Sequence, residues 1–217
     1  MKKIIFLFPA VSLILAACNN AGTGDKPKSD SAAPAKTEVK SETPPVPMDS
    51  AAMARAWEAF MTPGANHKWL EKMNGTWEAE VSTWMAPGAP PEKAKATNVQ
   101  HSILGGRYVV GNFTSTMMGM PFEGMSTTGY DNGKKQFVTT WVDNGGTGII
   151  HMSGSYDEAG KTLSLKGTQT DPLTGKDTEI REEMKFTDDN TYTQTMYGAG
   201  PDGKEMKFLE GTFKRKK

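Results

Sequence analysis

An all-β domain, closed into an antiparallel up-and-down barrel of about ten strands, is the fold this sequence predicts, and three features predict it. After Gly75 the apolar residues recur with period 2 rather than 3.6. Turn-forming clusters then arrive about every 14 residues through the C-terminal half. No helical pattern intervenes after Gly75, so the sheet is not of βαβ type. Ten long antiparallel strands laid flat would leave two bare edges, and closure removes them.

The N-terminal segment stands apart from that domain. Lys2 and Lys3 head an apolar run from Ile4 to Ala17, which ends on the small residues Ala16 and Ala17 before Cys18, the only cysteine. The run is too short to span a bilayer, which takes roughly 20 apolar residues, and Asn19-Asn20 follow at once. Residues 1–17 therefore read as a signal peptide. Leu15-Ala16-Ala17-Cys18 resembles a bacterial lipobox. That resemblance implies diacylglycerol on the Cys18 sulfur, cleavage before Cys18 and a further acyl chain on the new amino terminus. Two or more chains hold a protein on a membrane far better than one. Asn19 is not the aspartate that retains many lipoproteins at the inner membrane, so the expected address is the outer membrane, facing the periplasm.

Residues 18–47 read as a disordered tether. Pro27, Pro34, Pro44, Pro45 and Pro47 lie among Ala, Ser, Thr, Lys and Glu, with Val39 and Val46 the only large apolar residues after Cys18, too few to offset the entropy of ordering. As a flexible coil the tether would span about 30 Å.

Two short helices are expected over 48–74. Asp49 or Ser50 can cap the first, which runs to about Met61 with Met53, Trp57, Phe60 and Met61 on one stripe. Thr62-Pro63-Gly64 stops it. The second is capped by Asn66, carries Leu70 and Met73 on one side and ends at Asn74-Gly75. A Trp/Met stripe is ordinarily a packing face, so these helices are expected to dock on, or plug one mouth of, the β domain.

The β domain, 75–217, contains strand-like segments at Trp77–Met85, Arg107–Thr116, Gln136–Asp143, Gly148–Tyr156, Thr162–Thr168, Thr178–Phe186, Thr191–Tyr197 and Glu205–Lys214. Turn clusters such as Asp131-Asn132-Gly133, Asp143 to Gly146, Asp171 to Gly175 and Pro201-Asp202-Gly203 separate them. Alternation places Trp77, Ala79 and Val81 on one face, as it does Val109, Gly111 and Phe113, then Phe137, Thr139 and Trp141, then Leu163, Leu165 and Gly167, then Ile180, Met184 and Phe186. The opposite faces carry Glu78, Glu80, Arg181, Glu183 and Lys185, which a lipid-facing barrel would not tolerate.

Charge excludes one class of partner. Lysines and arginines number 25, as do aspartates and glutamates; loss of Lys2 and Lys3 leaves 23 against 25, a net charge of −2. The only basic run, Lys214-Arg215-Lys216-Lys217, is a chain end, so no nucleic-acid partner is expected.

Gly75-Thr76-Trp77 is the Gly-x-Trp that opens the first strand of lipocalin-type barrels, and Lys214-Arg215 can supply the cation that often packs on that tryptophan. Together with Thr62-Pro63-Gly64, His67, Trp84 to Pro91, Leu104-Gly105-Gly106-Arg107, Met117 to Gly124 and Gly129-Tyr130-Asp131, the chain from about Met53 to Arg215 closely resembles bacterial domain-of-unknown-function family 1579. The resemblance implies a small lipocalin-like barrel and supplies no catalytic residues.

The chemistry that the residues offer is sparse. No Gly-x-Ser-x-Gly elbow occurs, and the one thiol is the lipidation site, so catalysis finds little support. An enzyme acting on a lipid-like or sugar-like ligand would need polar groups converging at the barrel mouth. His67, His101 and His151 form no paired metal motif, and no cofactor is expected. Some lipocalin-like barrels hold haem through one histidine, a role open to His101 or His151. Met117, Met118, Met120 and Met125 gather in one hairpin; thioethers suit Cu(I), but the hairpin reads better as an adaptable portal for a greasy ligand. Glu182 alternates with Ile180, Met184 and Phe186, an inward carboxylate that would face Arg107 or Gln194.

The leading expectation is a lipid-anchored barrel that binds a small apolar molecule without catalysis. Trp77, Phe113, Met117, Met118, Met120, Phe122, Met125, Trp141 and Glu182 are its candidate contacts. The alternative is an interaction module with a solid core that recognises a protein partner in the cell envelope.

Overall fold

A computed structural model describes residues 49–217; the signal peptide, Cys18 and the tether lie outside the described residues. The first helix, α1 (Ser50–Met61), is capped by Asp49, whose side chain accepts from the Ala52 N–H at 2.6 Å. The second, α2 (Ala65–Leu70), continues into a 3-10 turn at Glu71–Met73. Its N-cap is Gly64 rather than Asn66, because His67 Nδ1 accepts from the Gly64 N–H at 3.0 Å and so performs the capping from inside the helix. Burial holds the His67 imidazole below its usual pKa, consistent with a neutral ring that accepts at Nδ1.

Ten strands follow: β1 (Gly75–Thr83), β2 (Glu92–Ile103), β3 (Tyr108–Met117), β4 (Met120–Asp131), β5 (Gln136–Asp143), β6 (Ile150–Asp157), β7 (Thr162–Thr170), β8 (Asp177–Asp188), β9 (Thr191–Ala199) and β10 (Glu205–Arg215). Each pairs antiparallel with its sequence neighbours, and β1 pairs with β10 from Trp77 opposite Arg215 to Thr83 opposite Leu209, which closes the barrel. The fold is thus the all-β, antiparallel, up-and-down barrel that the period-2 pattern predicts.

Strand direction assigns each loop to an end. Because α2 and the 3-10 turn feed directly into β1, their end of the barrel also carries the β2–β3, β4–β5, β6–β7 and β8–β9 loops. The β1–β2, β3–β4, β5–β6, β7–β8 and β9–β10 loops stand at the other end. At the first end Leu70, Trp69 and Met73 are buried and act as a stopper. Trp69 packs on Phe137, Tyr156 and Phe186 with ring centroids 5.1, 4.4 and 5.5 Å away. Beside it Trp77 meets Tyr192 at 4.8 Å, and Tyr192 stacks on Phe213 at 4.8 Å. These rings fill the plugged half of the barrel, and each buries a large apolar area.

α1 departs from expectation. None of its residues is buried, and Met53, Trp57, Phe60 and Met61 are 50–57% exposed. The stopper already fills the mouth, so α1 lies outside it. Only its C-terminal end is tied down: Asn132 Nδ2 donates to the Ala59, Phe60 and Thr62 carbonyls, and Arg107 to that of Met61.

Arg215 straps the stopper to the barrel. Its guanidinium lies 4.1 Å over the Trp77 ring and donates to the carbonyls of Lys72, Asn74 and Asp189. Charged donors to carbonyls exceed neutral ones in strength, so Arg215→Ala is expected to cost about 2 kcal/mol in urea unfolding, with Arg215→Lys recovering only part, since an ammonium lacks the planar fork.

Candidate functional site

Above the aromatic layer the barrel is hollow. A cavity of about 660 Å³ opens between the loops opposite the stopper, within the range of small-molecule sites. The interior is therefore not the solid core of the interaction-module alternative.

Two tiers line it. The upper tier is apolar: Phe113, Phe122 and Trp141 form an aromatic cluster with centroids 6.0–6.5 Å apart, joined by Met117, Ile150, Met196 and Phe208. Gly124 is what lets the indole lie flat on the wall, since a Cβ there would stand 2.2 Å from the Trp141 ring. The indole N–H donates to Asp143 Oδ2 at 2.6 Å, which fixes the ring.

The lower tier, between this wall and the aromatic floor, is polar. Asn98 and Gln100 from β2, Ser126 and Thr128 from β4, Thr139 from β5, Glu182 from β8 and Gln194 from β9 all reach it. The Thr128 and Thr139 hydroxyls are 2.9 Å apart, and Gln194 Nε2 donates to Glu182 Oε1 at 2.8 Å. Burial pushes the Glu182 carboxyl up to about 7, against the opposing pull of the Gln194 hydrogen bond. Asn98 Oδ1, Gln100 Nε2 and the Tyr192 hydroxyl are buried without a hydrogen-bond partner in the protein. Burial also raises the Tyr192 phenol, which lies beside Asn98 and Gln100.

Of the candidate contacts named from sequence, Phe113, Met117, Phe122, Trp141 and Glu182 line this cavity. Trp77 does not. It lies in the floor, fully buried, its indole N–H donating to the Met73 carbonyl at 2.8 Å. Met118, Met120 and Met125 are exposed and off the wall. Met118 and Gly119 form a two-residue hairpin with φ of 51° and 74°, both positive as in a type I′ turn. Met120 is thereby left at the open rim. Met125, opposite Asn112, falls on the outer face. Spread over wall, rim and exterior, these thioethers form no soft-metal cluster. His101 and His151 are exposed on the outer surface, so neither reaches the cavity to ligate haem. Among the described residues no three His, Cys, Asp or Glu side chains are grouped so as to hold a metal ion.

Glu182 faces Gln194; Arg107, the other partner considered, is at the stoppered end, donating to Leu104 and Met61. The polar tier was missed as a group. Its one signal in the sequence is parity: Asn98 and Gln100 alternate with Ala94 and Ala96, which are inward.

The family described as "Protein of unknown function (DUF1579)" matches residues 62–215, most of the chain. The chain belongs to that family. No curated protein matches it in sequence. Among solved structures it is similar to the crystal structure of Rv2717c from M. tuberculosis, at 12% identity with a TM-score of 0.56, over 72% of this chain and 100% of that one. At that identity the likeness speaks for the family's fold alone, a barrel.

Proposed function

We propose that this barrel is a binding protein, without catalysis, for a small and mostly apolar molecule taken up through the unstoppered mouth. The observation that carries the reading is the 660 Å³ cavity, sealed by aromatic rings at one end and walled by Phe113, Phe122, Trp141 and Ile150 toward the other. Such a wall supplies contact area, and a few polar groups beneath it supply orientation. The Met117–Met120 hairpin at the rim gives the mouth adaptable, polarisable side chains. The lipobox at Cys18 supports a membrane-anchored setting, in the outer membrane facing the periplasm, where apolar ligands are at hand.

Native mass spectrometry of the purified full-length chain, with denaturing extraction of whatever is retained, tests the reading. A stoichiometric apolar adduct is expected. Ala94→Trp, which drives an indole into the cavity from β2, should remove the adduct while leaving the β-sheet circular dichroism unchanged. A chain that carries nothing and takes up no apolar probe on titration would sink the reading.

A further inference from the structure

The chemistry of the polar tier narrows the ligand class, and this step rests on the carrier reading above. The cavity wall carries four carboxylates, Glu92, Asp143, Asp171 and Glu182, and no lysine, arginine or histidine. Asp143 and Asp171 are already engaged, by Trp141 and by the Leu173 N–H. Glu182 is 7% exposed and Gln100 4%, so both sit deep, where water does little to screen a charge. An anionic head would therefore have to give up its hydration beside a carboxyl with no cation to receive it.

The unanswered atoms describe what fits instead. Gln100 Nε2, a donor, and Asn98 Oδ1, an acceptor, lie beside the Tyr192 hydroxyl but make no well-formed hydrogen bond to it, so each keeps capacity for a polar head. Gln194 occupies Oε1 of Glu182, leaving Oε2 without a protein donor among the described residues. Gly111 lets these side chains crowd against the β3 backbone: a Cβ there would stand 2.7 Å from Ser126 Oγ and 3.1 Å from Asn98 Oδ1. An ammonium could answer Asn98 and Glu182 but has no lone pair for Gln100. A hydroxyl or primary amide gives and accepts at once.

We propose that the cavity binds neutral amphiphiles head-first, an alcohol or primary amide group resting on Asn98, Gln100 and Glu182, with the apolar chain rising along Phe113 and Trp141, and that it discriminates against anionic amphiphiles. The experiment is a titration of the full-length chain, followed by the fluorescence of Trp84 and Trp141 on the cavity wall, with a fatty amide, a fatty alcohol, a fatty amine and a fatty acid of matched chain length at about pH 8. The amide and alcohol should bind at least tenfold more tightly than the acid and more tightly than the amine. Gln100→Leu should weaken the amide about tenfold and leave a purely hydrocarbon probe unchanged, a split that mere structural damage does not produce. Should that variant not fold, Glu182→Gln reads the same site: the acid should gain about tenfold and the amide should change little. An acid that binds as well as the amide, or an amine that binds best, overturns the head-group assignment while the carrier reading stands. Failure of all four probes overturns both.

Discussion

Trp77→Ala is expected to lower the free energy of unfolding by about 4 kcal/mol, measured by urea denaturation, which for a domain of this size moves the thermal midpoint by about 10 °C. The ring is fully buried, and three kinds of contact end on it. Its edge packs against Tyr192 at 4.8 Å, its N–H holds the Met73 carbonyl at 2.8 Å, and the Arg215 guanidinium covers it at 4.1 Å. Truncation leaves a void under the stopper and frees the 3-10 turn that the indole pins. Trp77→Phe keeps most of the apolar volume and loses the hydrogen bond, so a cost nearer 2 kcal/mol follows. Trp141→Ala is the control. That ring borders space that is already empty, so its removal should cost under half as much while reducing the fluorescence response to ligand to what Trp84 supplies. Equal losses for Trp77→Ala and Trp141→Ala would contradict the division of the barrel into a packed floor and a hollow upper half.

That division was the part of the structure least legible in the sequence. Periodicity located the helix from Ser50 to Met61 and the strand from Gln136 to Asp143 at their observed limits, and parity turned Leu165, Ile180 and Glu182 inward. Parity says nothing of height along the barrel axis. Trp77 and Trp141 are both inward aromatics, yet one lies in the floor and the other on the cavity wall: β1 and β5 both start at the stoppered end, but Trp77 stands near the start of its strand and Trp141 near the end of its own. The cavity itself is a sum over strands far apart in the chain, and no local window contains it. The methionine hairpin was legible only in part. Clustering in sequence looked like clustering in space, but a two-residue turn at Met118-Gly119 pairs Met117 with Met120 and sends Met125 outside. The stripe on α1 failed because the helix after it, with Trp69 and Leu70, claims the barrel end first.

Glu182→Gln is expected to make the ligand-free protein more stable than the wild type at about pH 8 by on the order of 2–3 kcal/mol, and to remove most of the pH dependence of its urea midpoint between about pH 5 and pH 8. The sign follows from where the proton resides. Burial raises the folded-state carboxyl from its ordinary 4.5 to about 7, so between those values the folded chain holds a proton that the unfolded chain has released. Folding then takes up a proton, and stability falls as the pH rises through this window. Below about 4.5 both states are protonated and no penalty exists; above about 7 it is complete. Nothing facing the carboxyl can offset it: Gln194 gives one neutral hydrogen bond, the Tyr192 phenol is itself held protonated by burial, and the wall bears no cation. Glutamine keeps an oxygen for Gln194 and carries no charge at any pH. A variant no more stable than the wild type at about pH 8, or one with the same pH slope, would mean that water in the cavity solvates Glu182 fully. The predicted gap has a functional corollary. A carboxyl that weakens the fold at neutral pH, in a place where an amide would strengthen it, is what the proposed head-group site calls for and not what holding the barrel together calls for.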